Sequence, residues 1–341
     1  MNKSESRATW ISWLRNRWRR APDRQPAPPD RPAEQAGQIF SLAIASDSEY
    51  ERTSIELLEQ AAREAGLSSY LVDPHNLDET YQKLAGGEIG FRFYYDRASD
   101  TTPDFLKLYD LVVQRNIPVL DTWQDLGWAA DKAFMHDEFD ANGVPTPYTI
   151  IIPPFDHLEG VHHVETDLSK LGKPFVIKPA NTTGGGIGVV RKAGSLQDVH
   201  EARQLYQDNK YLLQEKVIPF EKDNKRFWFR GFYVCGQVVC VWWNDLTHLY
   251  ESLTDEDVRS YNLGPLFTLV RKIAAVCKLH FFSTEIAFDI HGRFVVVDYV
   301  NEVCDLRLKS LYRDGVPDEI VRGIACQIVR YVSKQTRTRI P

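Results

Sequence analysis

The chain has 341 residues, too many for one ordinary domain of about 100–200 residues and suited to two or three. Hydrophobic residues make up 43% and charged residues 26%, a globular balance that excludes wholesale disorder, and the net charge of −6 argues against a nucleic-acid partner. No apolar run approaches the roughly 18 residues of a membrane span, and the five cysteines are scattered without a CxxC pair. Reduced thiols, and so a cytoplasmic protein, are the expectation.

Residues 1–20 carry six basic side chains against Glu5 alone, and residues 22–32 contain five prolines. Residues 1–37 therefore read as a disordered basic tail followed by an extended linker. No apolar stretch follows the basic residues, so no secretory signal is expected. On a helix, Trp10, Trp13 and Trp18 would form one aromatic stripe flanked by arginines. Such a stripe suits peripheral contact with an anionic membrane surface, or a protein groove.

From residue 38 strands and helices alternate. Apolar runs predict strands at 39–45, 70–72, 90–95 and 118–120. Helices are expected from Ser54 as cap to Gly66, and over 104–116. This order implies βαβ units and a parallel sheet over 38–123. Ligands on such sheets sit beyond the carboxyl ends of the strands, which makes Asp96 and Arg97 substrate candidates.

The pattern changes after residue 124. A helix over 131–141 precedes a strand at 148–152, and strands then come in hairpin-like pairs: 175–178 with 189–191, 227–234 with 238–243, and 286–289 with 294–298. One long helix is expected at 255–277 and a closing helix at 319–334. The fold class is thus α/β plus α+β. A parallel βαβ domain (38–123) is followed by two α+β subdomains, 124–214 and 215–338.

The most informative segment spans residues 173–190, where an apolar strand ends at Lys178 and a glycine-rich loop leads into another strand. Gly184, Gly185, Gly186 and Gly188 let main-chain N–H groups approach an anion closely, and Lys178 adds a point charge beside them. The loop is neither a GxGxxG that opens a helix nor a Walker A motif, because no Lys-Ser/Thr pair follows the last glycine. Around it stand Lys132 upstream, the strand and charged turn Gln214-Glu215-Lys216-Val217-Ile218 downstream, then Arg230, Asp289, Asp298, Asn301 and Glu302.

This order of motifs resembles the ATP-grasp superfamily, over roughly residues 120–310. The resemblance implies that Lys132 and Lys178 hold the phosphates of ATP, and that Gly184 to Gly188 fold over them. It implies that residues 214–218 read the adenine edge, with Glu221 or Asp223 at the ribose. Arg230 is implied at the phosphate or acyl intermediate, and Asp289 and Asp298 as ligands of Mg2+, with Mn2+ as a substitute. Two carboxylates with the Asn301 carbonyl oxygen suit a hard cation that leaves most positions to phosphates and water. Asn301 stands one residue later than the family's usual Glu-x-Asn, so either a bulge corrects the register or Glu302 takes over.

The family's small-residue stretch after that strand is replaced by one containing Arg307, Lys309 and Ser310, which offers an anchor for an anionic acceptor. The resulting expectation is a ligase that activates a small-molecule or peptide carboxylate as an acyl phosphate for attack by an amine donor. The alternatives are a phosphotransferase to a hydroxyl, or a non-catalytic ATP-binding adaptor recruited through the tail.

Overall fold

The computed structural model describes residues 37–47, 51–154, 168–181 and 186–337. The Trp/Arg tail with its linker, and Gly184 and Gly185, lie outside the described residues. The chain divides into two compact units, one formed by residues 37–122 with 305–337, the other by Trp123–Cys304.

The first unit opens with β1 (Gln38–Phe40), β2 (Leu42–Ser46), α1 (Arg52–Glu64), β3 (Ser69–Val72), α2 (Leu77–Gly86), β4 (Ile89–Phe91), β5 (Tyr94–Arg97) and α3 (Leu106–Gln114). The expected parallel sheet is present in the order β3-β2-β5, and β1 pairs separately with β4. Every residue of β2 is buried, as its central place requires. The strand expected at 90–95 is split between β4 and β5, and the one at 118–120 is a single bridge from Val119 to Tyr94. Ser54 is not the cap of α1. It lies inside the first turn and donates its hydroxyl to the Glu51 carbonyl oxygen.

The second unit begins with two helices, α4 (Trp123–Ala130) and α5 (Lys132–Ala141). Asp131 caps α5 by accepting the Ala133 and Phe134 N–H groups. Four strands follow, β6 (Thr149–Ile152), β7 (Phe175–Pro179), β8 (Val190–Ala193) and, after α6 (Leu196–Arg203), β9 (Tyr211–Glu215). They form an antiparallel sheet in the order β6-β9-β7-β8. Alternation along β7 and β9 sends Phe175, Ile177, Tyr211 and Leu213 into a core with Val199 of α6. Val176, Lys178, Leu212 and Gln214 therefore share the opposite face.

A small hairpin, β10 (Glu221–Lys222) and β11 (Lys225–Arg226), leads to β12 (Trp228–Val234), β13 (Gln237–Trp243) and β14 (Tyr250–Ser252). The helix expected over 255–277 is two helices, α7 (Asp255–Ser260) and α8 (Gly264–Cys277). Asn262 breaks it with a φ of 53°, a left-handed conformation that ends helices. Strands β15 (Phe281–Phe288) and β16 (Phe294–Asn301) complete a five-stranded antiparallel sheet, β14-β13-β12-β15-β16. Helix α8 covers one face so closely that a Cβ at Gly231 would stand 2.5 Å from Val270 Cγ2. The other face carries Trp228, Arg230, Trp243, Ser283, Glu285 and Asp298.

The chain closes with α9 (Asp318–Arg337), whose apolar stripe of Val321, Ile324, Ile328 and Val332 is buried and which packs on α1. Residues 305–337 thus join the first unit, rather than completing a C-terminal subdomain as their place in the chain suggested. No helix of the described residues is long and apolar enough to cross a membrane.

Candidate functional site

The site in the second unit grows out of register. Arg230 on β12 lies directly opposite Glu285 on β15, and Glu285 lies opposite Asp298 on β16. Directly opposed residues of antiparallel strands share a face, so the three side chains form a row across the sheet. The Arg230 guanidinium donates to Glu285 Oε1 at 2.5 Å and to Ser283 Oγ at 3.3 Å, and its centre lies 4.8 Å over the Trp243 ring. Trp228 Nε1 donates to the other Glu285 oxygen at 3.3 Å. Burial and then the neighbouring Asp298 charge push the Glu285 carboxyl above its ordinary range, with Arg230 opposing both. Burial opposes the charge of Arg230, but Glu285 holds the guanidinium firmly protonated.

The β15–β16 pairing is irregular at two places, between Ser283 and Glu285 and between Glu285 and Ile286. The first irregularity sets Asn301 opposite Ser283, so Asp298 and Asn301, three residues apart, meet the same face. The displaced asparagine of the sequence is thus brought into line by a bulge. The second irregularity leaves Val297 as an extra residue, and its carbonyl oxygen accepts Lys178 Nζ at 2.8 Å. Lys178 thereby joins the four-stranded sheet to the carboxylate row. Burial brings its pKa down to about 8, with Asp298 acting against the shift and Lys132 adding to it. Lys132 opens α5, where its N–H donates to the Ala180 carbonyl at 3.0 Å, two residues past Lys178.

Beside Lys178 lies a buried polar chain. Gln214 Nε2 donates to Thr149 Oγ1 at 2.9 Å and to the Tyr299 hydroxyl at 2.7 Å, and that hydroxyl stands 2.7 Å from His136 Nδ1. The Tyr299 oxygen accepts from Gln214, which leaves its own proton available to His136. Burial, which lowers the His136 pKa, favours the neutral ring that can accept it.

Other expected site residues have different neighbours. Asp289 is not the partner of Asp298. It closes the β15–β16 turn, where Oδ1 accepts the His291 and Arg293 N–H groups and Oδ2 accepts two Arg293 guanidinium bonds at 3.0 and 2.8 Å. The carboxylate that stands opposite Asp298 is Glu285. Glu215 accepts the Tyr148 N–H at 3.0 Å, and Lys216, Val217 and Ile218 carry the chain out of the sheet toward β10. Glu221 pairs with Arg226 at 2.6 Å, and Asp223 sits in the tight turn at a φ of 53°, accepting the Tyr261 hydroxyl at 3.0 Å. Both carboxylates serve the hairpin region. Gly186 and Gly188 have φ values of 75° and 74°, which only glycine adopts without strain.

The proposed acceptor residues all belong to the first unit. Asp96 Oδ1 caps the N–H groups of Ala98 and Ser99 and its Oδ2 accepts the Ser99 hydroxyl, while Arg97 is buried and paired with Glu51 at 2.5 Å. Lys309 and Ser310 are exposed, and the Ser310 N–H donates to Asp318 at the start of α9. Arg307 is held between Asp305 and Asp314 at 2.7 and 3.0 Å, over the Tyr312 ring. Its fork is filled by two carboxylates of its own loop.

No family model and no curated protein matches the sequence. Solved structures do. A RimK domain protein ATP-grasp from Sphaerobacter thermophilus DSM 20745 superposes with a TM-score of 0.58 at 20% identity, over 85% of this chain and 98% of that one. The ATP-grasp ligase PsnB, complexed with precursor peptide PsnA2 and AMPPNP, gives 0.59 at 13% identity over 89% and 100%. D-cycloserine synthetase DcsG gives 0.57 at 16% over 87% and 99%. The chain has the ATP-grasp fold. Within that fold, the Lys178–Arg230–Glu285–Asp298 cluster is the candidate site.

Among the described residues no three His, Cys, Asp or Glu side chains gather as a metal cluster. A metal here would rest on two carboxylates and the Asn301 amide oxygen, a hard-oxygen set that fits Mg2+ when phosphates and water supply the rest. Sequence reading missed Glu285, Ser283 and Tyr299. In Phe282-Ser283-Thr284-Glu285-Ile286 the two-residue spacing of Ser283 and Glu285 is the available signal for Glu285, but the three consecutive polar residues mask a strand and set its expected start at Ile286.

Proposed function

We propose that this protein is an ATP-dependent ligase that joins a carboxylate to an amine, with a peptide on the acceptor side. The observation that carries the reading is the row Arg230–Glu285–Asp298, met from the facing sheet by Lys178. It sets cations beside a pair of carboxylates on an ATP-grasp fold. Structures of PsnB with ADP, Mg and a minimal precursor, and of the macrocyclase MdnC with precursor peptide MdnA, support a nucleotide, a divalent metal and a peptide substrate.

Lys178 and Lys132 would hold the phosphates, with Gly186 and Gly188 offering main-chain N–H groups, and residues 214–218 would take the adenine edge. Glu285, Asp298 and Asn301 would hold Mg2+, which when bound neutralises phosphate charge. Arg230 would steady the charge on the transferring phosphoryl group. An acceptor carboxylate oxygen attacks the γ-phosphorus, the bond to ADP breaks, and an acyl phosphate forms. The amine nitrogen then attacks the acyl carbon, phosphate leaves, and the nitrogen loses a proton. The residues contribute by positioning and charge neutralisation.

The test is a screen of peptides and amino acids for ADP release, followed by an acceptor labelled with 18O in its carboxylate. One label should appear in inorganic phosphate, together with an amide product. Phosphorylated acceptor without amide would make the protein a phosphotransferase, and nucleotide binding without turnover on any acceptor would favour an adaptor.

A further inference from the structure

Arg230 has an arrangement that phosphate binding alone does not explain. In this structure its strongest bond goes to Glu285, one of the two carboxylates proposed to hold metal, and not toward the lysines. The pair is buried, with side-chain exposures of 10% and 14%. The guanidinium is only partly satisfied, because its Nε is buried with no hydrogen-bond partner. Such an atom is costly to leave unpaired, so the fork is held where it stands mainly by Glu285 and by the Trp243 face.

Charge makes the consequence specific. Glu285 and Asp298 bring two negative charges into a buried row, faced by the positive charges of Arg230 and Lys178, with those of Lys132 and Arg191 acting on Lys178. A divalent ion added to that set, whose cations already match or outnumber its carboxylates, brings two uncompensated positive charges into a poorly solvated place. A triphosphate added with it supplies negative charge that offsets both the ion and the surrounding cations, and its oxygens give the guanidinium a new bidentate partner. We infer that Arg230 guards the Glu285–Asp298 pair, so that a divalent metal enters the site only together with a triphosphate. The inference rests on the metal assignment of the proposed function. Arg230 then sets the order of loading as well as steadying the phosphoryl group.

The experiment measures Mn2+ by electron paramagnetic resonance with the full-length protein, alone and with AMPPNP. Wild type should take up Mn2+ with AMPPNP and bind it at least about a hundredfold more weakly without. Arg230→Gln should bind Mn2+ without nucleotide roughly a hundredfold more tightly than wild type does, because the repulsion of a buried cation on the ion is removed. Arg230→Lys, which keeps the charge, should still refuse Mn2+ alone. Wild type binding Mn2+ equally with and without AMPPNP would overturn the inference, and needs no variant to fold. So would a folded Arg230→Gln protein that gains nothing. If wild type binds AMPPNP but takes up no Mn2+ in its presence, the metal assignment itself fails, a result distinguishable from failure of the guard alone.

Discussion

Lys178 combines a buried position with a charge that the proposed function assigns to the phosphates. Its pKa of about 8 lies well below the roughly 10.4 of an unfolded lysine, so between these values the unfolded chain binds more protons. Stability should therefore rise with pH from about 8 to 10 through this group. Nucleotide affinity should move the opposite way, falling up to about tenfold per pH unit as the ammonium is lost. Calorimetric titrations across that range should show both slopes in wild type and neither in Lys178→Met. The two acids of the β15–β16 hairpin should separate as cleanly. Glu285→Gln should abolish Mn2+ uptake in the presence of AMPPNP. Asp289→Ala should keep it while losing about 1–3 kcal/mol of stability, because turn N–H groups and Arg293 lose their acceptor. Loss of Mn2+ in a folded Asp289→Ala protein, with Glu285→Gln unaffected, would restore the assignment made from sequence.

The bulges of β16 do at the scale of the element what no single residue does. They bring Asp298 and Asn301 to one face and turn the Val297 carbonyl to Lys178. Opposite them, β12 lies so close to α8 that only glycine fits at 231. Gly231→Ala should cost about 1–3 kcal/mol by overpacking, and Val270→Ala should recover part of it, as a double-mutant cycle by denaturant unfolding would show. Additive losses would place the strain elsewhere. These elements also show what was legible in the sequence. Strand pairs β7–β8, β12–β13 and β15–β16 and the parallel core were readable because alternation and buried apolar runs are local signals. The bulges, the Asn262 break and the identity of a cross-strand neighbour were not. A register shift leaves no local trace, so Asp289, a prominent acid at a strand end, reads from sequence as the neighbour of Asp298, whereas the register sets Glu285 there.

Arg307 shows the same limit for the whole molecule. Its place a few residues beyond Asp298 suggested an acceptor anchor, but the chain passes into the other unit at Asp305, where Asp305 and Asp314 fill the guanidinium fork. Hydrogen bonds to these acids hold Arg307 protonated well above its ordinary range, although burial opposes them. Arg307→Lys should lower stability by about 0.5–1 kcal/mol in thermal unfolding and leave nucleotide affinity unchanged. A selective rise in acceptor KM would instead return it to the site. Closure of the first unit by α9, far from α1 in sequence, was equally hidden, since an apolar stripe names no partner.

The proposed function requires the second unit to bind a nucleoside triphosphate through Lys178 and, with metal, the carboxylate row. Isothermal titration of Mg·AMPPNP into wild type and Lys178→Ala decides whether it does. The prediction is one nucleotide per wild-type chain, with affinity weakened roughly ten- to a hundredfold in the folded variant. Equal affinity in the two proteins, or no binding to wild type, would contradict it.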